Sequence, residues 1–205
     1  MRSPRVTTRY LIAKRLFDVG VCILLLPVLV PLVLLCALAI KLDSRGRILI
    51  SQTRTGRDGT PFRMLKFRTM VANADELKAE LQHLNILPPP DFKIPDDPRI
   101  TRVGKILRQT SLDELPQLFN VVRGDMSLVG PRPTSFAAST YALWHTQRLE
   151  VAPGITGLWQ VKGRNSTTFD ERLRLDIEYI EHRSFGLDLK ILLQTVPTVL
   201  RRTGV

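Results

Sequence analysis

The feature that most constrains this chain is an apolar run from Val19 to Ile40, where 22 consecutive residues are uncharged and almost wholly aliphatic. As a straight helix this run is roughly 33 Å long, enough to cross a bilayer core of about 30 Å. It is too long for a typical signal-peptide core, and no clear small-x-small cleavage site follows it. A wholly apolar helix of this length would also be unusual in a soluble domain of this size. The sequence therefore predicts membrane association.

The flanks and two prolines bear on how the run sits in the membrane. A spanning helix usually shows a charge bias between its flanks, but here both flanks are basic. Pro27 and Pro31 lie in mid-run, and each removes a helical hydrogen bond and favours a kink. A helix that enters, bends and returns to the same face explains both observations, with a simple span as the alternative. The basic flanking residues are Arg2, Arg5, Arg9, Lys14 and Arg15 before the run and Lys41, Arg45 and Arg47 after it.

The net charge limits the class of partner to expect, and the cysteine content limits the kinds of site and compartment. The formal net charge is +11, which predicts an anionic partner: nucleic acid, anionic lipid or a phosphorylated small molecule. The two cysteines, Cys22 and Cys36, both lie in the apolar run and form no metal-type cluster with the three scattered histidines. Neither a disulfide framework nor a zinc site is therefore expected, and a reducing compartment is favoured.

The remainder predicts a helix-rich α+β fold. Two short strands, Arg47–Gln52 and Pro61–Phe67, flank the turn signal Asp58-Gly59. The last helix mixes apolar and basic residues, which suits either a membrane surface or a packed terminal helix. A short strand is allowed at Met126–Val129, and Ala152–Arg164 is expected to be irregular. Helices are expected over Asn73–Leu87, Arg99–Gln109, Pro116–Val122, Ser139–Glu150, Thr168–His182 (opened by a capping box) and Leu187–Arg202.

Two adjacent acids, Asp113 and Glu114, stand out in this basic chain. From Arg99 to Arg132 there are six basic residues against three acidic ones. Paired carboxylates ringed by arginines are what a phosphoryl-transfer site requires, because Mg²⁺ is commonly held by one or two carboxylates together with substrate phosphate oxygens. A capping box formed by Ser111 and Glu114 is the simpler alternative. Pro116 weakens it, since proline disfavours helix at the preceding residue.

Three further basic motifs each have a functional and a plain interpretation. Pro131-Arg132-Pro133 is either a stiff platform that presents a guanidinium or a rigid turn. Lys66-Phe67-Arg68 is a phosphate-binding pair or an exposed strand end. Lys162-Gly163-Arg164 lies in a loop and could equally be solvated. No nucleotide-binding glycine loop or Ser/His/Asp arrangement competes with them.

The ordered set of motifs is more specific than any one of them. In chain order they are Lys14-Arg15-x-x-Asp18, Leu65 through Met70, Asp97 through Thr101, Arg108-x-x-Ser111 through Asn120, Gly124 through Pro133, and Pro153 through Gly157 to Lys162-Gly-Arg164. This set closely resembles the bacterial sugar transferase family, the monotopic phosphoglycosyl transferases, over roughly Lys14 to Gly204. The length matches the minimal catalytic form of that family, without the extra N-terminal spans of larger relatives.

The resemblance implies an activity. Such enzymes transfer a phospho-sugar from a UDP-sugar to a polyprenol phosphate such as undecaprenyl phosphate, release UMP, and start glycan or glycoconjugate assembly. It implies that Asp113 is the nucleophile and contacts Mg²⁺, and that Glu114 orients the site or helps to deprotonate the acceptor phosphate. The implied phosphate-binding residues are Lys66, Arg108 and Arg164, and the residues implied near the uridine are Pro131, Arg132 and Pro133.

The resemblance also favours a re-entrant topology with a bend at a Ser-Pro pair. Here Pro31 matches that proline, Val30 replaces the serine, and Pro27 is an additional proline. The expected organisation is a re-entrant membrane segment over residues 1–42 and a catalytic domain over residues 43–205. The expected location is the cytoplasmic face of the bacterial inner membrane.

Two rivals belong to other classes. One is a non-catalytic, membrane-anchored basic protein that binds anionic lipid or nucleic acid. Only 6% of residues are aromatic and no nucleic-acid motif is present, so no nucleic acid partner is expected. The other is a multi-pass transferase, which the single long apolar run excludes. The sequence specifies neither the sugar nor an oligomeric state.

Overall fold

The first element is a long helix, α1, over Thr8–Asp43. The computed structural model describes residues 7–86, 92, 94–136, 143–162 and 168–200. The Thr7 side chain caps α1 by accepting a hydrogen bond from the Tyr10 amide. Pro27 and Pro31 lie inside α1, which continues across both, so the expected re-entrant hairpin is not confirmed. Within the described ranges, α1 is the one helix with the length and composition to cross a bilayer.

In the described part of the chain, two small sheets and six further helices follow. Strands β1 (Leu49–Thr55) and β2 (Pro61–Phe67) form an antiparallel hairpin in which Leu49 pairs with Phe67. Strands β3 (Ser127–Val129) and β4 (Gly154–Thr156) form a parallel pair. The helices are α2 (Ala74–Glu80), α3 (Arg102–Gln109), α4 (Gln117–Arg123), α5 (Leu158–Lys162), α6 (Phe169–His182) and α7 (Phe185–Leu200). Short 3-10 turns lie at Arg57–Gly59, Gln82–Leu84, Leu112–Glu114 and Leu143–Glu150.

Most of these elements were predicted, with shifted ends. The hairpin is confirmed, and so is the capping box that opens α6 at Thr168. Helix α3 begins three residues later than expected because Thr101 caps it, accepting from the Gly104 amide at 3.0 Å. The helix expected over Ser139–Glu150 is a 3-10 segment from Leu143, and residues 139–142 lie outside the described part. The helix expected over Asn73–Leu87 ends as α2 at Glu80. Leu87 itself lies outside the described residues.

The region expected to be irregular contains β4 and α5, and glycines explain its path. A Cβ added to Gly154 would lie 2.1 Å from the Gly130 nitrogen, and one added to Gly157 would lie 2.3 Å from the Gly130 oxygen. Glycine is therefore required where the two chain segments cross. The crossing places Pro131 beside β4, since the Pro131 carbonyl accepts from the Gly154 amide at 2.8 Å.

Both halves of α1 pack against the rest of the chain. Cys22 belongs to a core cluster shared with α4, β3, α6 and α7, whereas Cys36 and Ile40 belong to a second cluster with Phe67 and Leu107. The stretch between them is bare of protein contacts on most sides. Its exposed large apolar residues are Ile23, Leu24, Leu25, Leu26, Val28, Val30, Leu34 and Leu35. A belt of this kind is suited to lipid rather than water.

The motif Lys14-Arg15-x-x-Asp18 anchors the first half of α1. Lys14 Nζ lies 2.9 Å from an oxygen of Asp188 on α7. Arg15 donates to the carbonyls of Val121 and Val122, which end α4. The Asp18 carboxylate accepts from the Ser127 hydroxyl of β3 at 2.7 Å. Each charged residue of the motif thus ties α1 to a different element.

The end of α1 is tied down independently. Asp43 accepts from the Val103 amide of α3 at 3.1 Å. The Arg68 side chain donates to three carbonyls of the chain that leaves α1, those of Ser44, Arg45 and Arg47. Arg68 is only 6% exposed, so it organises the connection between α1 and the hairpin.

Candidate active site

The acid pair lies on a short turn between two helices. Helix α3 ends at Gln109, and Ser111 then adopts a left-handed conformation with φ of 57°. Asp113 and Glu114 follow on the 3-10 turn. The Ser111 side chain makes no capping hydrogen bond, so the capping-box interpretation of Ser111 and Glu114 is wrong.

Pro116 does not break the path as expected. Leu115, directly before it, is in the right-handed helical region with φ of −52° and ψ of −39°. Helix α4 begins at Gln117, directly after the proline. The backbone therefore turns almost continuously from Leu112 into α4. This turn fixes the direction in which the side chains of Asp113 and Glu114 extend from the backbone.

The Glu114 carboxylate is fully engaged by two cations. One oxygen lies 2.9 Å from Lys66 Nζ on β2 and 2.7 Å from Arg132 Nη2. The other oxygen accepts more weakly from Arg132 Nη1 at 3.5 Å. Burial alone would raise the pKa of Glu114, but the charges of Arg132 and Lys66 outweigh it and lower the pKa to about 2. Glu114 is therefore held as an anion, with both of its oxygens in contact with protein cations.

Asp113 differs although it is the adjacent residue. Its nearest cation is Lys66, but the distance from Nζ to the carboxylate oxygen is 3.6 Å, too long for a good hydrogen bond. Within the described residues its oxygens accept no hydrogen bond. The residue is 8% exposed. Burial is the largest influence and raises the pKa of Asp113, against the opposing charges of Lys66, Arg108 and Arg132.

Arg108 reaches the site from α3. Its Nε donates to the Thr69 hydroxyl at 2.9 Å, which fixes the side chain. Burial lowers its pKa, and the nearby charge of Asp113 counteracts this. Of the three cations predicted from the family resemblance, Lys66 and Arg108 thus adjoin the acid pair, while Arg164 lies outside the described residues.

Pro131-Arg132-Pro133 does present a guanidinium, and Glu114 receives it. Its backbone is held by Arg148, which donates to the Arg132 carbonyl at 2.6 Å and to buried Asp176 on α6 at 2.7 Å. Sequence reasoning missed Arg148 and Asp176, because nothing in their spacing links them to Arg132. Arg68 and Lys162 serve elsewhere: Arg68 holds backbone carbonyls, and Lys162 pairs with Glu178 at 2.7 Å.

Comparison with known proteins agrees with this geometry. Residues 9–202 match the family described as bacterial sugar transferase. The chain belongs to the bacterial sugar transferase family. It is 45% identical, over 95% of its length, to the galactosyl transferase CpsE of Streptococcus agalactiae, but it spans only 44% of that protein. The first relatives compared are thus more than twice as long as the aligned region.

Relatives of more similar length also match. The chain is 45% identical to a Caulobacter vibrioides protein named UDP-glucose:undecaprenyl-phosphate glucose-1-phosphate transferase, with 96% of this chain and 72% of that protein aligned. It is 41% identical to the exopolysaccharide production protein ExoY of Sinorhizobium fredii, with 94% of this chain and 88% of that protein aligned.

A divalent cation in this family member would rely on few protein ligands. The described residues contain no group of three or more His, Cys, Asp and Glu side chains that could hold a metal. Asp113 fits such an ion because its oxygens are not used in hydrogen bonds. Mg²⁺ is commonly held in this way, by one or two carboxylates with waters and substrate phosphate oxygens. The donor set thus fits Mg²⁺ bound together with a phosphorylated ligand.

A pocket adjoins the acid pair on the side of Glu114. Its volume is about 230 Å³. The walls come from the turn after α3, the start of α4, strand β4, helix α5 and helix α7. Its apolar wall residues are Leu112, Leu115, Leu118, Ile155 and Val161.

Proposed function

We propose that this protein transfers a phospho-sugar from a UDP-sugar to a polyprenol phosphate, undecaprenyl phosphate in bacteria, as the first membrane step of polysaccharide or glycoconjugate assembly. The observation that carries the proposal is the contrast within the acid pair. Glu114 is neutralised by two cations, whereas neighbouring Asp113 keeps unbonded oxygens beside the same cations. The names of the relatives from Caulobacter and Streptococcus give the class of substrates.

In the first step Asp113 attacks the phosphorus that carries the sugar. A bond forms between a carboxylate oxygen and that phosphorus, and the bond to the bridging oxygen of the diphosphate breaks. UMP leaves with the electron pair, and the enzyme retains the phospho-sugar as an acyl phosphate. A carboxylate is a weak nucleophile, so nearby positive charge must offset repulsion from the phosphate. Lys66 and Arg108 are placed to do this.

In the second step the phosphate of the polyprenol attacks the same phosphorus. The bond between phosphorus and Asp113 breaks, the electron pair returns to the carboxylate, and a polyprenyl diphosphate sugar is released. Since both steps occur at one phosphorus, the same cations serve both. We assign Arg164 to this phosphate-binding set and Pro131, Arg132 and Pro133 to the uridine side on the basis of the family resemblance.

Glu114 acts as a positioning residue in this scheme. A carboxylate with a pKa of about 2 is a poor proton acceptor near neutral pH. Its contacts instead hold the Lys66 ammonium and the Arg132 guanidinium on either side of the turn. Of the two roles considered for Glu114, orientation of the site is therefore favoured over deprotonation of the acceptor.

Mg²⁺ completes the proposed site, with Asp113 as its protein ligand. When bound, the ion would offset the charge of the phosphate oxygens and lower the barrier to attack by an anion. The surrounding cations have a separate task, because they stabilise negative charge wherever the metal does not reach. The protein thus supplies one metal ligand and at least two fixed positive charges.

The proposed membrane placement is re-entrant, with residues 1–42 in or at the bilayer and residues 43–205 on the cytoplasmic face. Its support is that both ends of α1 are fastened to the same catalytic region, through Lys14 at one end and Asp43 at the other. A straight span would carry those ends to opposite sides of the membrane. The two internal prolines would supply the bend.

The deciding experiment uses the whole protein in nanodiscs with Mg²⁺ and a UDP-sugar, but no acceptor. The expected result is release of about one equivalent of UMP and a mass increase of one phospho-sugar, which maps to Asp113. Addition of undecaprenyl phosphate should then remove the adduct. Sequential kinetics without an adduct would instead favour direct attack by the acceptor. Absence of UMP with every UDP-sugar tested would favour a non-catalytic, lipid-binding protein.

A further inference from the structure

The pocket beside Glu114 is lined by several polar residue types, but most of the surface that it presents to a ligand is apolar. Besides its aliphatic wall residues it is lined by polar residues, which are Thr110, Ser111, Glu114, Thr156, Gln160, Thr195 and Thr198. Thr110, Thr195 and Thr198 each donate their hydroxyl to a carbonyl of the preceding helical turn. With the hydroxyls engaged in this way, these threonines contribute mainly their methyl groups to the pocket.

Gln160 adds a further polar group to the lining. Its amide group donates to the Ile155 carbonyl at 3.1 Å. Its Oε1 is buried, and it accepts no hydrogen bond from the described residues. A sugar ring or a nucleobase would present several donors and acceptors, whereas most of the surface that this pocket presents is aliphatic. An apolar occupant therefore matches the lining better.

The volume of the pocket limits the size of that occupant. A cavity of about 150 Å³ lined by aliphatic side chains accepts benzene, which has six carbons. The pocket here has about 230 Å³. It is therefore large enough for one five-carbon isoprene unit and part of a second, and too small for a long folded chain.

The protein surface next to the pocket is also apolar, as expected of a face that contacts lipid. The two helices that wall it, α4 and α7, also carry large apolar residues on the surface. These exposed residues are Phe119 and Val122 on α4 and Leu189, Leu193 and Val196 on α7. An apolar surface of this kind beside an apolar pocket is typical of a protein face that contacts a membrane.

We propose that this pocket binds the first one or two isoprene units of the polyprenol phosphate, next to its phosphate group. The inference rests on the proposed function, since it places the acceptor of that reaction. The charged end of the acceptor then lies toward Lys66 and Asp113, and its chain passes over Glu114 and leaves between α4 and α7. The pocket thereby selects an unsaturated, branched chain at the position nearest the reacting phosphorus.

The test fills the pocket from α7 and measures the two half-reactions separately. Thr198→Trp should leave UMP release from UDP-sugar alone unchanged within about twofold. The same variant should lower kcat/KM for undecaprenyl phosphate by about tenfold or more, because one buried isoprene unit is lost. Thr195→Leu is a milder second variant that should act in the same direction if Thr198→Trp fails to fold. The matched control is Gln194→Trp, an exposed position on the same helix that does not line the pocket.

Chain length gives an independent measure. With isoprenyl phosphates of one, two and three units as probes, the wild type should gain about tenfold in kcat/KM from one unit to two. Thr198→Trp should abolish that gain, and Gln194→Trp should keep it.

The outcomes separate the two proposals. A wild type that turns over, with an unchanged kcat/KM for the acceptor in both pocket variants, would overturn the pocket assignment alone. Impaired UMP release in Thr198→Trp, or in Gln160→Ala, would assign the pocket to the nucleotide sugar instead. A wild type that never turns over would count against the proposed function itself.

Discussion

Two buried acids, Asp113 in the candidate site and Asp188 at the junction of α1 and α7, show how similar charge serves different ends. Both have a lysine as their nearest cation. Asp188 is 2% exposed, and both of its oxygens are occupied: Tyr179 donates at 2.7 Å, and Tyr10 and Lys14 each approach at 2.9 Å. Among the described residues, Asp113 forms one ion pair, with Lys66 at 3.6 Å.

The two acids differ in how many hydrogen bonds their carboxylate oxygens accept, rather than in whether they are buried. A carboxylate whose oxygens are all hydrogen-bonded is held in one place and has nothing left for a ligand. A carboxylate that is buried but under-bonded is less stable as an anion, and this is what raises the pKa of Asp113. The charge of Asp188 therefore stabilises the junction, whereas the charge of Asp113 remains available to a ligand.

The largest expected effect is on activity at Asp113. Asp113→Asn keeps the shape but removes the proposed nucleophile, so adduct formation and turnover should fall by about 10⁴-fold or more. The free energy of unfolding should change by less than about 1 kcal/mol, because no hydrogen bond is lost. Intact-protein mass spectrometry and denaturant unfolding measure the two quantities. A variant that loses activity only because it unfolds would make Asp113 resemble Asp188.

At the junction the expected effect is reversed. Asp188→Asn should lower the free energy of unfolding by about 3 kcal/mol, since Lys14 remains largely buried without its counter-charge. Turnover per folded molecule should stay within about threefold of wild type. Denaturant unfolding in detergent micelles and active-site titration by the phospho-sugar adduct provide these values.

The control for the junction is the double variant Lys14→Met/Asp188→Asn. Removing both charges should recover part of the lost stability, which a double-mutant cycle would report as a coupling between the two sites. If each single variant and the double variant were equally destabilised, the ion pair would have no net role. The contrast with Asp113 would then rest on the tyrosine hydrogen bonds alone.

The smallest expected effect is a shift along the pH axis. Attack requires the ionised form of Asp113, so the rate of adduct formation should fall as the pH drops through its raised pKa, above the ordinary value of 3.8. Glu114, with a pKa of about 2, stays ionised throughout that range. Lys66 lowers the pKa of Asp113, so Lys66→Met should move the acid limb of the residual activity to higher pH. An acid limb that moved to lower pH would contradict the assignment.

Local signals explain what could be predicted from the sequence. The apolar run, the β1–β2 hairpin and the capping box at Thr168 each depend on residues that are close in the chain. The acid pair was found through the charge contrast around it. The difference between Asp113 and Glu114 could not be predicted, because it depends on Lys66 and Arg132, which lie 48 and 18 residues from Glu114.

Other features were missed because they have no local pattern. Strand β4, in the region expected to be irregular, has three residues, too few to show an alternation. The left-handed conformation of Ser111, with φ of 57°, is unusual for a residue other than glycine. Arg15, Arg68 and Arg148 look like surface cations in the sequence, yet each donates to backbone carbonyls of a distant segment.

The double fastening of α1 sets the height of the site. Because Lys14 and Asp43 bind the two ends of the apolar helix to one catalytic region, the depth at which that helix settles in lipid also fixes the level of Asp113. A phosphate carried by a lipid is confined to a thin layer at the bilayer surface. In the proposed reaction, donor-loaded enzyme and acceptor would diffuse in one shared plane, and each encounter would begin with Asp113 at the level of the acceptor phosphate.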